Sequence, residues 1–277
     1  MKLCVYRVYL LVGIAVFGAA ALPSPAAAQY RPGFSEAAVG EDYHIEAGYS
    51  WWNAEPSLIV SSESLGILGD DVDLVQDLGI ERHRLAKFDV VLRPGKKHRF
   101  RFQRLPIVYE SDGEVTREFV FNGQRYRVGL PVITKVDFTT YRFGYEYDFF
   151  YTSRGFIGAL VDVKYTNVDV NLNSSIGNEF VSAVAPIPTV GVVGRGYPVP
   201  NLAVTGELAF FRMPDNLKDT LDGEGSYTDF DVNATWNFTK SFGAQMGYRR
   251  TNVFYNVDLD AGELKFSGLY FGGVVRY

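Results

Sequence analysis

The sequence contains very little cysteine, methionine and histidine. Of its 277 residues, one is cysteine, three are methionine and three are histidine. Without a second cysteine no disulfide can form within the chain, and without clustered cysteine or histidine there is no ligand spacing for zinc. The composition therefore predicts a protein without disulfides, metal or cofactor.

The sequence also lacks an excess of positive charge. It has 27 Lys and Arg against 32 Asp and Glu, which gives a formal net charge of −5. Proteins that bind nucleic acid usually show a strongly basic footprint on one face. We therefore expect no nucleic acid among the partners of this chain.

Long hydrophobic runs are missing except for one near the N-terminus. Residues 8–22 form an apolar stretch that follows Lys2 and Arg7 and is broken by Pro23, before three alanines that end at Ala28. This pattern predicts a signal peptide cleaved after Ala28, with an uncleaved anchor as the alternative. A multi-pass helical membrane protein would need several apolar runs of about 20 residues, so that class is excluded.

The rest of the chain shows a strong alternation of apolar and polar residues. From 141 to 149 every odd-numbered residue is Tyr or Phe, while the even-numbered ones are Arg142, Gly144, Glu146 and Asp148. A period of two indicates a β-strand. The odd-numbered face has no charge over nine residues, and a surface that faces water rarely stays so apolar. We expect this face to contact lipid, with a soluble periplasmic β-barrel as the alternative.

Alternation of this kind recurs in ten segments. With their flanks, the segments reach the roughly 9 to 11 residues that a tilted transmembrane strand needs. The predicted strands are 43–52, 82–93, 98–110, 135–149, 156–170, 185–196, 201–213, 226–238, 242–256 and 263–277. The predicted short turns are 94–97, 150–155, 197–200 and 239–241, and the predicted long loops are 53–81, 111–134, 171–184 and 214–225, with a tighter connection at 257–262. Alternating connection lengths are typical of barrels with short periplasmic turns, and the even count places both termini in the periplasm.

The strand count has one ambiguity, at residues 116–128. This segment centres on Asn122 and Gly123, which form the strongest short hairpin signal because both accept positive φ. Its short arms carry four charged residues. This favours an external hairpin within the second long loop over a further pair of spanning strands.

The last predicted strand carries a resemblance to a known family. Leu269, Phe271, Val275 and the C-terminal Tyr277 lie on one face of this strand. The pattern resembles the terminal assembly signal of Gram-negative outer-membrane β-barrel proteins, in which the last residue is more usually Phe. The resemblance covers residues 43–277 as architecture and matches no functionally defined member. It implies an all-β fold, a transmembrane antiparallel up-and-down β-barrel of about ten strands, with eight or twelve as alternatives.

The resemblance also implies a location and partners. Residues 1–28 are then the signal peptide, 29–42 a periplasmic N-terminal segment and 43–277 a barrel in the cell outer membrane. The expected partners are outer-membrane lipid, lipopolysaccharide and the barrel-assembly machinery that reads the last strand in this family. The sequence does not indicate what the external loops contact.

The inward-facing positions of the predicted barrel carry charges of both signs. A barrel of about eight strands has an interior that side chains fill, whereas open channels need about sixteen strands or more. We therefore expect the inward charges to pair across the lumen, because an unpaired buried charge is costly. The predicted lumen charge network consists of Glu46, Arg101, Arg142, Glu146, Asp162, Lys164, Glu207 and Arg249. A narrow path for a small solute or ion is the alternative.

A filled lumen leaves the external loops as the working surface, so we predict a structural or surface-interaction role rather than an enzyme. The alternatives are a narrow channel or small-ligand transport barrel, and an outer-membrane hydrolase acting on lipid or peptide. The chain resembles small barrel proteases and lipid A deacylases in size and location, and such enzymes use a His beside a carboxylate or Ser. The candidate catalytic residue is His83, near Asp70, Asp71 and Asp73 of the first long loop.

Overall fold

The structure is a computed structural model that describes residues 38–64, 66–215, 223–257 and 259–277, with only the backbone described at 180, 181 and 183. The predicted signal peptide, 1–28, and the first part of the predicted periplasmic segment, 29–37, lie outside the described residues. The predicted alternation appears as side chains that are buried and exposed in turn along each strand. This is the expected result when one face of every strand points into a barrel and the other points out.

The described residues form fourteen strands, numbered in chain order. They are β1 (Ile45–Asn53), β2 (Glu55–Ser62), β3 (Val72–Asp73), β4 (Arg84–Gly95), β5 (His98–Glu114), β6 (Phe119–Phe121), β7 (Gln124–Tyr126), β8 (Pro131–Thr152), β9 (Gly155–Ser174), β10 (Gly177–Val199), β11 (Leu202–Arg212), β12 (Gly223–Asn237), β13 (Phe242–Val257) and β14 (Asp260–Arg276).

Ten of the strands in the described ranges form a closed antiparallel barrel. Their order around the barrel is β1, β4, β5, β8, β9, β10, β11, β12, β13 and β14. The first and last strands close it, with Cα partners that run from Glu46 and Arg276 to Trp52 and Tyr270. The prediction of an all-β antiparallel barrel with ten strands is confirmed. We call the end with the short connections and Tyr277 the turn end, and the opposite end the loop end.

The first predicted long loop, 53–81, is partly a strand. β2 pairs with β14, and its pair Glu55 and Ser267 continues the register of Trp52 and Tyr270 in β1. β1 and β2 therefore act as one strand that is interrupted at Ala54. The prediction of a loop from residue 53 is wrong, because the alternation continues although the outward residues become polar.

Two further predicted long loops are shorter than expected. β9 and β10 pair as far as Ser174 and Gly177, so the loop predicted at 171–184 is a tight hairpin turn. β5 and β8 pair as far as Glu114 and Pro131, so the loop predicted at 111–134 is trimmed at both ends. The alternation of apolar and polar residues stops before the strands end, because outward residues such as Asp112 and Asn173 are polar. The strands continue past that level with polar outward residues.

The hairpin predicted within the second long loop is present. β6 and β7 form a separate two-stranded sheet of three residues each. The turn residues Asn122 and Gly123 have φ angles of 49° and 78°, as the hairpin signal requires. Over the described residues this hairpin does not join the barrel wall, which excludes the twelve-stranded alternative there.

The hairpin packs into an apolar plug that fills the loop end of the barrel. The plug combines buried side chains from the first two loops with those from the inner faces of the surrounding strands. These buried residues include Trp52, Leu58, Val60, Val72, Leu74, Leu78, Ile80, Tyr109, Phe119, Phe121, Tyr126, Val136, Phe138, Leu172 and Phe266. The prediction of a filled polar lumen is wrong in its polarity at the loop end, where apolar side chains of the loops fold inward and fill the lumen.

No helix within the described ranges has the length and hydropathy that crossing a bilayer requires.

Candidate functional site

The turn half of the lumen contains the predicted charge network. Strand alternation brings all eight predicted residues to the inner face, where Arg101 is partly buried and the other seven are buried. Each of the eight makes at least one ion pair with a residue of another strand. Buried charges are tolerated when paired and hydrogen bonded, which accounts for this arrangement.

Five residues form the central part of the network. Glu207 on β11 forms ion pairs with Arg101 of β5 at 2.8 Å and with Arg142 of β8 at 2.5 Å. Arg101 also contacts Glu146 at 3.1 Å, and Arg142 contacts Asp162 at 2.7 Å. Because β11 and β5 are not neighbours in the barrel wall, these pairs cross the lumen and obstruct it.

A second part of the network centres on Asp229 of β12. Its carboxylate accepts hydrogen bonds from Lys164 Nζ at 3.0 Å and from Arg249 Nη2 at 2.8 Å. Arg249 Nη1 also donates to Gln103 Oε1 on β5 at 2.8 Å, and Thr251 Oγ1 donates to Asp229 at 3.1 Å. One carboxylate therefore holds two buried cations, one of which reaches across the lumen.

The turn end is closed by an N-terminal strap, residues 38–42. Its buried Glu41 pairs with Arg99 at 3.0 Å and accepts a hydrogen bond from Tyr197 Oη at 2.9 Å. Nearby, Glu46 pairs with Arg276, while Arg195 lies 3.6 Å from Glu46. The strap thus supplies a carboxylate to a mouth that is rich in arginine.

The backbone of the N-terminal strap is also anchored to the barrel. Val39 N donates to Pro200 O at 2.8 Å, and Asn237 Nδ2 donates to Val39 O at 2.7 Å. Gly40 has φ of 81°, and a Cβ there would lie 2.7 Å from Arg276 Nη1. Only glycine fits this position without strain or a shift of the arginine.

The space left inside the charge network is small. The cavity has a volume of about 70 Å³ and is lined by polar and charged side chains such as Lys87, Asp231 and Gln245. A cavity of this size and polarity holds a few water molecules at most.

Several members of the charge network were missed by the sequence analysis. Asp229 lies two residues from Asp231 on the inner face of β12, so the alternation already placed it inward. Arg195 follows Val193 inward on β10 in the same way. Glu41 precedes the first strand, and no periodicity there indicates burial.

The apolar plug is held by hydrogen bonds as well as by packing. Tyr109 Oη donates to Ala54 O at 3.2 Å, and Trp52 Nε1 donates to Gly268 O at 3.0 Å. Arg117 pairs with Asp77 at 2.7 Å and so ties the second loop to the first. Burial raises the pKa of Tyr126 to about 12, which keeps this phenol neutral over the ordinary pH range.

The structure places His83 outside the plug, at the level where the first loop enters β4. Its ring meets the ring of Tyr109 edge-on, with centroids 4.7 Å apart. Asp70 and Asp73 instead accept hydrogen bonds from loop backbone, from Val120 N at 2.7 Å and from Val75 N at 3.0 Å. Within the described ranges, His83 makes no hydrogen bond or ion pair with the three aspartates considered for it.

His83 lines an exterior cleft of about 600 Å³ on the outer wall of the barrel. The cleft lies where the first loop meets β4, beside β1, β2, β13 and β14. Its lining residues are Asn53, Glu55, Arg82, His83, Arg84, Tyr248, Ser267, Gly268 and Leu269. The cleft was not predictable from the sequence, because its members come from four distant segments.

The predicted assembly-signal residues Leu269, Phe271, Val275 and Tyr277 are all exposed on the outer side of the barrel. Across the residues that the structure describes, no three His, Cys, Asp or Glu side chains gather in a way that would hold a metal ion.

No protein-family model matches the sequence, and no curated protein matches it either. Solved structures do match. The outer membrane protease OmpT from Escherichia coli matches with a TM-score of 0.55 at 8% identity, over 88% of this chain and 99% of that one. The attachment invasion locus protein Ail of Yersinia pestis gives a TM-score of 0.37 at 9% identity, over 83% and 99% of the two chains. A FadL homologue from Pseudomonas aeruginosa gives 0.40 at 9% identity, over 79% and 64%.

The likeness to OmpT extends over most of both chains, and at this identity it is a likeness of fold alone. It agrees with the closed wall of ten antiparallel strands and with the charge-free aromatic face along residues 141–149 of β8. The chain therefore has the fold of the Gram-negative outer-membrane β-barrel proteins.

Proposed function

We propose that this protein is a sealed, non-conducting barrel of the outer membrane that serves as a rigid support for its external surface. Its role is structural or one of surface interaction. Its partners are outer-membrane lipid, lipopolysaccharide and the assembly machinery that inserts the barrel. The C-terminal strand, with four exposed apolar residues on its outer face, supports the last of these.

One observation carries the proposal, namely that three barriers close the lumen in series. The N-terminal strap covers the turn end, the charge network crosses the middle, and the apolar plug fills the loop end. A transport barrel would need a continuous path, and the cavity of about 70 Å³ offers none. The alternative of a narrow channel is disfavoured on this ground.

The outer surface supports the same role. β8, β9 and β10 are 22, 20 and 23 residues long, about twice the length that crossing a bilayer requires. Beyond the apolar band their outward residues include Lys135, Asp137 and Asp169, together with the exposed apolar residues Ile133 and Val184. The long strands therefore extend the barrel wall beyond the membrane. We propose that a partner binds this extended part of the wall.

Conductance in planar lipid bilayers tests the proposal. We expect the purified protein to show heat-modifiable migration on gels, as a folded barrel does, and to give no ion conductance. A triple variant, Glu41→Ala with Arg101→Ala and Phe119→Ala, removes a side chain from each of the three barriers and is the positive comparison. Steady conductance of the unaltered protein would overturn the proposal of a sealed barrel.

A hydrolase is the second candidate, and the exterior cleft is the observation that favours it. His83, Ser267 and Glu55 line the same cleft, and these are residue types that acyl hydrolases combine. The test is fatty-acid release from outer-membrane lipid by the purified barrel, with His83→Ala as the matched variant. Release that His83→Ala abolishes would establish the hydrolase, and no release by either protein would exclude it for these lipids.

A further inference from the structure

We propose that the exterior cleft binds the phosphate-bearing head group of an outer-leaflet glycolipid of the lipid A type. The inference rests on the proposed outer-membrane location and on lipopolysaccharide as a proposed partner, and it deepens that proposal by naming the site and the part of the lipid that binds there. Three features carry it, which are the level of the cleft on the barrel wall, its cations and its one carboxylate.

The cleft lies where the outer wall changes from apolar to polar. Strand register places Arg84, Asn53, Leu269 and Tyr248 in one row around the wall, on β4, β1, β14 and β13. The row below it contains the aromatic residues Trp51 and Phe271, which lie 5.7 Å apart. Lipid head groups lie just beyond such an aromatic girdle.

The row above is polar. Its members on β2, β14 and β13 are Glu55, Ser267 and Arg250, which are consecutive register partners. The cleft therefore spans the boundary between the two environments, with an apolar floor and a polar upper rim. An amphiphile with a polar head and apolar chains matches this division.

Arginine dominates the polar rim. Arg82 and Arg84 line the cleft, and Arg250 lies beside Ser267 at its edge. All three side chains are exposed, and Arg84 lies with its guanidinium 5.5 Å from the ring centre of Phe271. A guanidinium donates paired hydrogen bonds to phosphate oxygens, so this arrangement favours a phosphate over other head groups.

Glu55 is the single carboxylate among the described lining residues, and its removal distinguishes an anionic ligand from a cationic one. It pairs with Arg82 at 2.8 Å, and the Arg82 and Glu55 side chains are 67% and 65% exposed. An entering phosphate competes with Glu55 for Arg82 and is repelled by its charge. Removing the carboxylate is therefore expected to strengthen phosphate binding, whereas it would weaken the binding of a cationic ligand.

The charges and the level of the site together indicate a lipid. A soluble phosphate has no apolar part that could contact the floor formed by Leu269 and Tyr248. A cleft of about 600 Å³ has room for a phosphorylated sugar head group with the first part of its chains. A ligand in the external leaflet reaches this cleft without entering the barrel.

The experiment is a binding titration of the purified full barrel in detergent micelles with bisphosphorylated lipid A, followed by native mass spectrometry. The double variant Arg82→Ala with Arg84→Ala is expected to weaken binding about tenfold to thirtyfold, since each arginine near a lipid surface contributes on the order of a factor of five. Glu55→Gln is expected to strengthen binding. Arg104→Ala, which removes an exposed arginine of β5 outside the cleft, is the matched control and is expected to change nothing.

Two ligand controls complete the design. Dephosphorylated lipid A is expected to bind as weakly to the unaltered barrel as intact lipid A binds to the double variant. Equal binding of both lipid A forms, or an equal loss in Arg104→Ala, would overturn the inference. Phosphatidylglycerol binding as tightly as lipid A would overturn the assignment to a glycolipid. Conductance reports on the sealed lumen independently, because none of these substitutions lies inside it.

Discussion

The two halves of the lumen are filled by opposite chemistries. In the turn half, the ion pairs of the charge network come mainly from the barrel strands themselves, so each pair ties one part of the wall to another. In the loop half, the apolar plug is built mainly from loops that fold inward. The comparison teaches that the charge network is part of the wall, whereas the apolar plug is a separate unit packed inside it.

This difference predicts different consequences of damage. A buried ion that loses its partner is costly wherever it lies, and the cost falls on strands that must stay together for the barrel to close. A lost methyl group in the plug reduces burial, and the loops can detach while the wall remains paired. Substitutions in the charge network should therefore destabilise the whole barrel, whereas substitutions in the apolar plug should release only the loops.

The largest effect is expected for Asp229→Ala. The substitution leaves the buried Lys164 and Arg249 without their shared carboxylate, and breaking a buried ion pair from one side costs about 3 to 5 kcal/mol. Urea unfolding in detergent micelles measures the loss in the free energy of unfolding of the whole barrel. Glu110→Gln, which breaks the exposed pair between Glu110 and Lys135 of 2.8 Å, is the control and is expected to have no measurable effect.

A compensated variant sharpens this test. Replacing all three members, as Asp229→Leu with Lys164→Met and Arg249→Met, leaves no unpaired charge among them and is expected to recover most of the loss. If Asp229→Ala costs no more than Glu110→Gln, the charge network does not stabilise the wall and the comparison fails.

The next effect concerns the apolar plug and should stay local. Leu74 is fully buried in the first loop, and Leu74→Ala removes about 3 kcal/mol of packing. We expect faster hydrogen exchange in the loops and in β6 and β7, with protection of the barrel strands unchanged. Leu68→Ala is the matched control in the same loop, since Leu68 is 77% exposed. Equal loss of protection in the barrel strands would show that the plug and wall unfold together.

The barrel wall was predictable from the sequence because its signal is local and repeated. Alternation along 141–149 and its nine counterparts fixed the strand number and the inward faces, including those of Glu207 and Arg249. Strand ends were less predictable. A strand that leaves the lipid keeps its hydrogen bonds but exchanges apolar outward residues for polar ones, as at Asn171 and Asn173, and a lipid-based criterion then ends it early.

The partners of the inward charges and the fate of the loops were not predictable. Pairing across a lumen depends on shear and stagger, so a period of two cannot reveal that Glu207 meets both Arg101 and Arg142. Leu74 and Phe119 lie in segments without regular alternation. The sequence around an apolar loop residue does not indicate which surface will bury it. The surroundings of His83 were not predictable for the same reason. His83 is close to Asp70 in the sequence, but the two side chains do not form a hydrogen bond or an ion pair.

A smaller effect is expected where the two loops of the plug are tied together. Arg117→Ala removes the contact with Asp77 at 2.7 Å, and because the Arg117 side chain is 51% exposed the loss is at most about 1 kcal/mol. Because Arg117 also donates to Asp71 O at 2.8 Å, hydrogen exchange should rise around Asp71 and Asp77 and not elsewhere. Arg125→Ala in the same loop breaks an exposed pair with Glu118 and is expected to leave exchange there unchanged. Identical profiles for the two variants would show that Arg117 is no tether.

The smallest effect at neutral pH, and the one that separates the plug from the charge network most cleanly, concerns Tyr126. Its buried hydroxyl makes no hydrogen bond with the described residues, and burial raises its pKa to about 12 from the ordinary value near 10. The folded plug therefore binds the phenolic proton more tightly than the detached loop does. The stability that this provides is complete below pH 10 and is lost as the pH rises through 12.

Hydrogen exchange is too fast at that pH, so the detachment of the loop is best followed by protease cleavage after brief alkaline exposure. Tyr126→Phe keeps the ring and removes the ionisable group. Because the hydroxyl has no partner to lose among the described residues, we expect unchanged packing at pH 7 and a weaker rise of cleavage between pH 10 and 12. Arg249 stays charged in this range and keeps its pair with Asp229 even when the lysines of the charge network lose their protons, so the wall should remain folded while the plug opens. If the whole barrel unfolds over the same interval in both proteins, the plug is not a separate unit.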